Sequence, residues 1–343
     1  MSLKITGKLP SGQHLERLKQ SLHFKTKGFE NISVTPMMAE DASYWKMTRD
    51  FFRKNKDAAP PQVLPSVKTD LNTIQSEEPV IIWFGHSSYF IRIAGKNFLV
   101  DPVFSGNAAP LSFMVKAFSG SDVYKAEDMP VIDYLILTHD HYDHLDYKTI
   151  LKLKKKVKAI YCSLGISSHL KHWGIDTGII TEMDWWEEER LDEAITLVAT
   201  PARHFSGRGI KRAQTLWSSF VLKTATHRLF LGGDSGYDSH FKMIGERYGP
   251  FDIALLEAGQ YNTMWPLIHM MPEETVQAAA DLQAKLLLPV HWGKFTLAMH
   301  AWNEPVKRVL ARATELNIPV RTPMIGEPTI LGTTYTRNNW WES

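Results

Sequence analysis

The segment Thr138-His139-Asp140-His141-Tyr142-Asp143-His144-Leu145-Asp146 follows the apolar run Val131 to Leu137 with no residue between them. Imidazoles and carboxylates packed this densely at the end of a strand do not serve packing, because burying them costs free energy unless something pairs with them. Neutral imidazole nitrogen and carboxylate oxygen are donors that zinc accepts at about 2.0–2.2 Å. The arrangement then repeats. Ile195 to Ala199 is followed by His204, Leu229 to Leu231 by Asp234 within Gly232-Gly233-Asp234-Ser235-Gly236, and Leu286 to Val290 by His291. In open α/β sheets the carboxyl ends of strands are where ligands bind. The chain is therefore expected to fold so that four strand ends meet at one site.

Five imidazoles (His139, His141, His144, His204, His291) and two carboxylates (Asp143, Asp234) exceed what one tetrahedral zinc can use. Two metals about 3.5–4 Å apart, sharing one bridging carboxylate, use all seven, and such a pair lowers the pKa of its water and clamps attacking and leaving oxygens. Hydrolysis is the chemistry expected. A set of His and Asp suits zinc better than redox di-iron use.

The remaining text is that of a mixed α/β protein. Residues 1–77 are polar with scattered aromatics (Phe24, Phe29, Trp45, Phe51, Phe52) and a proline-bearing stretch from Ala59 to Pro65, an extension expected to pack on the main body through those rings. From residue 78 to 343 short apolar runs alternate with helical periods. Strands are expected over Val80 to Phe84, Tyr89 to Ile93, Phe98 to Val100, Val131 to Leu137, Ala159 to Cys162, Ile195 to Ala199, Phe220 to Leu222, Leu229 to Leu231, Ile253 to Leu256 and Leu286 to Val290. Helices are expected over Tyr147 to Lys156, Ser239 to Tyr248, Pro272 to Ala284 and Glu304 to Leu316.

Charge and cysteine usage exclude several classes. The 39 Lys and Arg against 37 Asp and Glu give a net +2, no global attraction for nucleic acid, and no basic arm or stacking platform adjoins the ligand run. No nucleic-acid partner is expected. The single cysteine, Cys162, excludes an internal disulfide framework and a Cys-rich zinc site and fits a reducing compartment. Met1 to Gln20 holds no signal-peptide core, and no window approaches the roughly 20 apolar residues of a membrane span. The expected location is cytoplasmic, at most peripheral at the inner face of a membrane.

The His-x-His-x-Asp-His pattern at 139–144, with His204, Asp234 and His291, resembles the metallo-β-lactamase fold superfamily over about residues 78–330. That resemblance implies a four-layer αββα sandwich with a binuclear zinc site along one sheet edge. Further motifs narrow it: Phe84-Gly85-His86, Asp101-Pro102-Val103-Phe104-Ser105, Asp184-Trp185-Trp186-Glu187-Glu188, Gly249-Pro250-Phe251-Asp252, His269 before Pro272-Glu273-Glu274, and His291-Trp292-Gly293 resemble the N-acylphosphatidylethanolamine-hydrolysing phospholipase D family. Members cleave the distal phosphodiester of an N-acylated phospholipid with zinc. Carried over, the resemblance gives one zinc to His139, His141 and His204 and the other to Asp143, His144 and His291. Asp234 bridges, a bridging hydroxide attacks phosphorus, and His269 binds the phosphate or protonates the leaving oxygen. The resemblance alone also admits a homodimer.

Other residues carry weaker readings. Asp101, following its own strand, is a candidate for steering a ligand imidazole, and His86 either approaches the site or is a buried structural histidine. The apolar loop Tyr261 to Met271, with Trp265 beside His269, either lines a substrate groove or touches a membrane, or else packs in the core. The lysines 148, 152, 154, 155, 156 and 158 read first as a solvated helix face and second as a surface for anionic head groups. The expected partner is a phospholipid or small phosphodiester substrate. The competing readings are a sugar-phosphate lactonase or general soluble phosphodiesterase using the same site, and a metal-binding protein without activity.

Overall fold

Strands covered on both faces read as unbroken apolar runs, because neither side meets water. The computed structural model, which describes residues 4–40, 42, 43, 45, 49 and 55–342, places the apolar runs in two such sheets. The first has the order β13-β1-β2-β3-β4-β5-β6, with β1 Val80–Trp83, β2 Tyr89–Ile93, β3 Lys96–Val100, β4 Ile132–Leu137, β5 Val157–Ser163, β6 Ile180–Met183 and β13 Pro328–Ile330. The second has the order β12-β11-β10-β9-β8-β7, with β7 Glu188–Arg190, β8 Thr196–Thr200, β9 Ser219–Lys223, β10 Arg228–Leu231, β11 Ile253–Glu257 and β12 Leu287–Val290. β3 to β6 are parallel, as are β10 to β12, and the remaining pairings are antiparallel. Parallel neighbours bring their carboxyl ends to the same edge of each sheet.

Three apolar layers separate four layers of structure. Between the sheets lie Ile81, Trp83, Ile91, Phe220, Leu231, Leu255 and Leu288. Outside the first sheet, Ile150 and Leu153 of α2 (Tyr147–Leu153) and Leu170 of α3 (Ser167–His172) pack with Ile82, Leu135 and Leu137, while the short α1 (Gln13–Leu18) lies in the N-terminal stretch. Outside the second, α4 (His240–Tyr248), α5 (Pro272–Asp281) and α6 (Glu304–Leu316) bury Phe241, Ile244, Val276, Ala279, Val309 and Ala313 against Phe230, Leu256 and Leu287. Each fully buried side chain of this size stabilises the fold by roughly 1.5–3 kcal/mol. This is the αββα sandwich that the ligand pattern implies.

Local signals set the helix ends. Asp146 caps α2 by accepting the amide N–H of Lys148 at 3.1 Å, so the last acid of the His-rich segment serves the helix. Pro272 starts α5, and Glu274 reaches back to the amide of Met271 at 2.8 Å. The sequence gives no expectation of β6, β7, β13, α1 or α3. They are short, β7 is largely exposed, and β13 begins with an edge-strand proline.

Phe24 and Phe29 meet edge to face at 5.0 Å, and Phe29 is buried with Leu18, Trp185, Leu216 and Trp217. Trp45 departs from the expectation that it packs: it is 79% exposed. Phe51 and Phe52 lie outside the described residues. The lysines of α2 and the segment after it have structural partners, with Lys152 on Glu127, Lys158 on Asp133, and Lys156 donating to the carbonyls of Glu127 and Met129. The helix-face reading holds for Lys148 and Lys152 alone, because α2 ends at Leu153, Lys154 to Lys156 form the turn after it and Lys158 lies in β5. Among the described residues no helix is long and apolar enough to cross a membrane.

Candidate metal centre

Both sheets deliver side chains to one edge. His139, His141, Asp143 and His144 follow β4, and His204, Asp234 and His291 follow β8, β10 and β12. Their donor atoms fall into two adjoining sets, each within 4.8 Å internally: His139, His141, His204 and Asp234, and His86, Asp143, His144 and His291. Asp234 reaches both, with Oδ2 3.8 Å from His139 Nε2 and 3.3 Å from His291 Nε2, and Oδ1 3.1 Å from His144 Nε2. The structure thus brings all seven expected donors together.

The rear nitrogen of each ring fixes what its front nitrogen offers. The Thr138 hydroxyl donates to Asp101 Oδ2 at 2.5 Å and so accepts from His139 Nδ1 at 3.0 Å. His204 Nδ1 lies 2.7 Å from the carbonyl of Ile268, His144 Nδ1 2.7 Å from Asp101 Oδ2, and His291 Nδ1 3.1 Å from Glu257 Oε2. Each acceptor draws the ring proton to Nδ1, and in the neutral ring that leaves Nε2 as a bare lone pair. Around His141 Nδ1 the Nε2 atoms of His139 and His204 converge to 2.9 and 3.2 Å, and His144 Nε2 is buried with the carboxylate of Asp234 at 3.1 Å. Lone pairs aimed at common points, with carboxylates beside them, fit divalent cations of the zinc class.

The electrostatics divide the two sets. Burial, reinforced by His144 and His141, holds His139 well below the usual imidazole range, and burial holds His204 there against the pull of Asp234. For His144 burial is outweighed by Asp234, Asp143 and Asp101, which hold it well above that range. For His291 it is outweighed by Asp234, Asp143 and Glu257, which push it up to about 10. Asp143 and Asp234 stay well below the carboxylate range because His144 and other nearby imidazoles overcome their burial. Protons and divalent cations compete for these nitrogens.

The supporting residues are placed as follows. Asp101 holds His144, as its position after β3 suggests. His86 is both buried and close to the site, its Nε2 2.9 Å from Asp143 Oδ2, while burial, then His291, takes its pKa down to about 3. His86, Asp101, Gln260 and His291 all carry left-handed backbone, a strain that the surrounding packing has to sustain. Gly236 is needed for close approach: a Cβ there would sit 2.0 Å from the carbonyl of Leu267, against which the His269 loop rests.

A cavity of about 190 Å³ opens over the donors, walled by Phe205, Gln260, Trp265, Ile268, His269 and Leu297. The ring of His269 stands 5.0 Å from that of His204 and 5.2 Å from that of His291, one candidate ligand from each set. Trp265 lines the cavity, but Tyr261 does not. Its ring stacks on His300 and its hydroxyl donates to Glu304 at 2.7 Å, because the loop turns it toward α6. In the apolar loop Met270 joins the core, Tyr261, Met264 and Ile268 are buried, and Trp265, Leu267 and Met271 are half-buried. Two partners escape the sequence reading. Glu257 ends β11 as the other donors end theirs, a signal present in the text. Asn31 brackets His204, accepting its amide N–H at 3.0 Å and donating to its carbonyl at 2.8 Å, and its distance along the chain hides it.

Comparison with known proteins agrees with this geometry. The model of the β-lactamase superfamily domain matches residues 96–292. An uncharacterised protein of Mycobacterium tuberculosis is 36% identical over 314 residues, covering 90% of this chain and 84% of its own. The N-acyl-phosphatidylethanolamine-hydrolyzing phospholipase D 1 of Caenorhabditis elegans is 32% identical over 228 residues, 63% of this chain and 64% of its own length. Among solved structures, a metallo hydrolase from Ignicoccus hospitalis shares the fold with a TM-score of 0.57 at 18% identity, covering 75% of this chain and 100% of that one. The sandwich, the convergent donors at its edge and the matched domain together make this chain a member of the β-lactamase superfamily of metal-dependent hydrolases.

Proposed function

We propose that the protein is a phosphodiesterase of N-acylphosphatidylethanolamine-type phospholipids that works with two zinc ions. The observation that carries this reading is the position of His269, one ring distant from a candidate ligand of each donor set. Zinc ions in such a pair supply Lewis acidity and an acidified water. The chain's own residues do the rest. His139, His141 and His204 would hold one ion and Asp143, His144 and His291 the other, with Asp234 between them. His269, with Nδ1–H against Glu257, lines the cavity with the rest of its ring, where the doubly protonated imidazolium, carrying a second proton on Nε2, binds the phosphate or gives that proton to the leaving oxygen. Trp265, Ile268 and Leu297 keep water away from that transfer.

The surroundings and the relatives support this substrate class. A groove of about 570 Å³ adjoins the cavity, sharing His204, Phe205 and Ile268 with it, and Ile32, Val34 and Pro36 give it apolar walls suited to an acyl chain. The similarity to the Caenorhabditis elegans phospholipase supports the same class. The test is product release by zinc-loaded protein from N-acylphosphatidylethanolamine in mixed micelles, beside soluble phosphodiesters and lactones, with His139→Ala as the blank. Zinc-dependent release of N-acylethanolamine, with about two zinc bound per chain, is expected. Turnover confined to lactones or soluble diesters overturns the lipid assignment, and a wild type without bound metal overturns the centre.

A further inference from the structure

Glu257 is buried at the carboxyl end of β11, and its two oxygens have divided tasks. Oε1 accepts the backbone N–H of Ser235 at 3.0 Å and of Met270 at 3.1 Å, the residues next to Asp234 and His269. Oε2 lies 2.7 Å from Nδ1 of His269 and 3.1 Å from Nδ1 of His291. A carboxylate only accepts, so each of these imidazoles must present its ring proton to it.

We propose that Glu257 is a positioning residue that couples the two halves of the site: by holding Nδ1–H of both His291 and His269, one carboxylate turns a candidate metal-facing Nε2 and a substrate-facing Nε2 in the same register. The inference rests on the metal-dependent hydrolase reading given above. The carboxylate of Asp101 on the opposite side has no such double duty, since among the described residues its imidazole partner is the candidate ligand His144 alone and its other hydrogen bonds are to Thr138. Glu257 also fastens the two loops that carry Asp234 and His269, so a change there is felt at the candidate ligands and at the substrate side together.

The test compares wild type, Glu257→Gln, Glu257→Asp, His269→Ala and the double variant Glu257→Gln/His269→Ala. Zinc affinity is read by chelator competition, and kcat and KM are read with bis(p-nitrophenyl) phosphate. An amide can satisfy either the two imidazoles or the two backbone N–H groups, but not all four. Glu257→Gln is therefore expected to weaken zinc roughly 10–100-fold and to lower kcat roughly 10²–10⁴-fold with little change in KM. In the His269→Ala background the loss of kcat at saturating zinc should disappear while the loss of zinc affinity persists. A merely structural carboxylate would give losses that add in the double variant. Additive losses, or a folded Glu257→Gln with unchanged zinc affinity and kcat, overturn the proposal. If the Gln and Asp variants do not fold, imidazole ¹⁵N shifts of the wild type decide: His269 must carry its proton on Nδ1, and the other tautomer refutes the proposal. A wild type that shows the Nδ1–H tautomer yet neither binds zinc nor cleaves the diester would instead refute the hydrolase reading and leave the positioning geometry standing.

Discussion

His269 is half committed to the protein and half to the cavity. Its Nδ1 is taken by Glu257 at 2.7 Å, its side chain is 12% exposed, and among the described residues no hydrogen bond fixes Nε2. A residue placed so can serve the reaction without holding metal. His269→Ala should keep the zinc content of the wild type and lose turnover by roughly 10²–10⁴-fold. Elemental analysis beside kcat checks this, and loss of metal in the variant would make His269 a ligand instead. His269 was legible in the sequence through the motif around it. Glu257, which orients it, followed an apolar run just as visibly but lay outside the His-rich patterns that drew attention.

Elements distant in the chain complete the site. The stretch from Phe29 to Met37 walls the groove beside His204, and Asn31 clamps the backbone of that residue on both its N–H and its C=O while accepting from Trp217 Nε1 at 2.9 Å. Removing the amide takes away the partners of the His204 N–H and C=O at a cost of about 1–3 kcal/mol, while Trp217 Nε1 keeps the carbonyl of Ala202 at 3.1 Å. Asn31→Ala is therefore expected to lower stability in urea by that amount and to weaken zinc at the set containing His204, measured by chelator competition. Unchanged values in both would make the stretch a passive cover. No local pattern announces Asn31, because its partner is over 170 positions away and neither strand nor helix periodicity links them. The strands β4, β8, β10 and β12 were legible for the opposite reason: burial on both faces writes an unbroken apolar run.

Stability of the whole molecule responds to protons through histidines held neutral by the core. His240 begins α4, buried with Nε2 3.1 Å from the Ser235 hydroxyl, and burial lowers its pKa from 6.5 to about 3. Between those values the unfolded chain binds a proton that the folded one refuses. The stability it contributes is therefore present above pH 6.5 and is lost as pH falls toward 3, by at most ~1.4 kcal/mol per pH unit. In His240→Gln the loss of stability between pH 7.5 and 5 should shrink by ~2 kcal/mol relative to wild type, measured by urea unfolding at both values. Parallel pH curves for the two proteins would refute the assignment.

The sequence by itself determined the candidate donors and the strands of both sheets other than the short β6, β7 and β13. His139, His141, Asp143, His144, His204, Asp234 and His291 stand within a few residues of the ends of apolar runs, and chemistry that dense needs no tertiary information to be recognised. The tertiary structure alone decided how those donors divide into two sets about Asp234 and which acceptor draws each ring proton. It also turned Tyr261 toward Glu304 rather than the cavity, and drew Met270 of the same loop into the core. The physical reason is range. A strand's burial and a ligand's identity are written in neighbouring residues, whereas the direction of an imidazole is set by hydrogen bonds from Thr138, Asp101, Ile268 and Glu257, which only folding brings within reach.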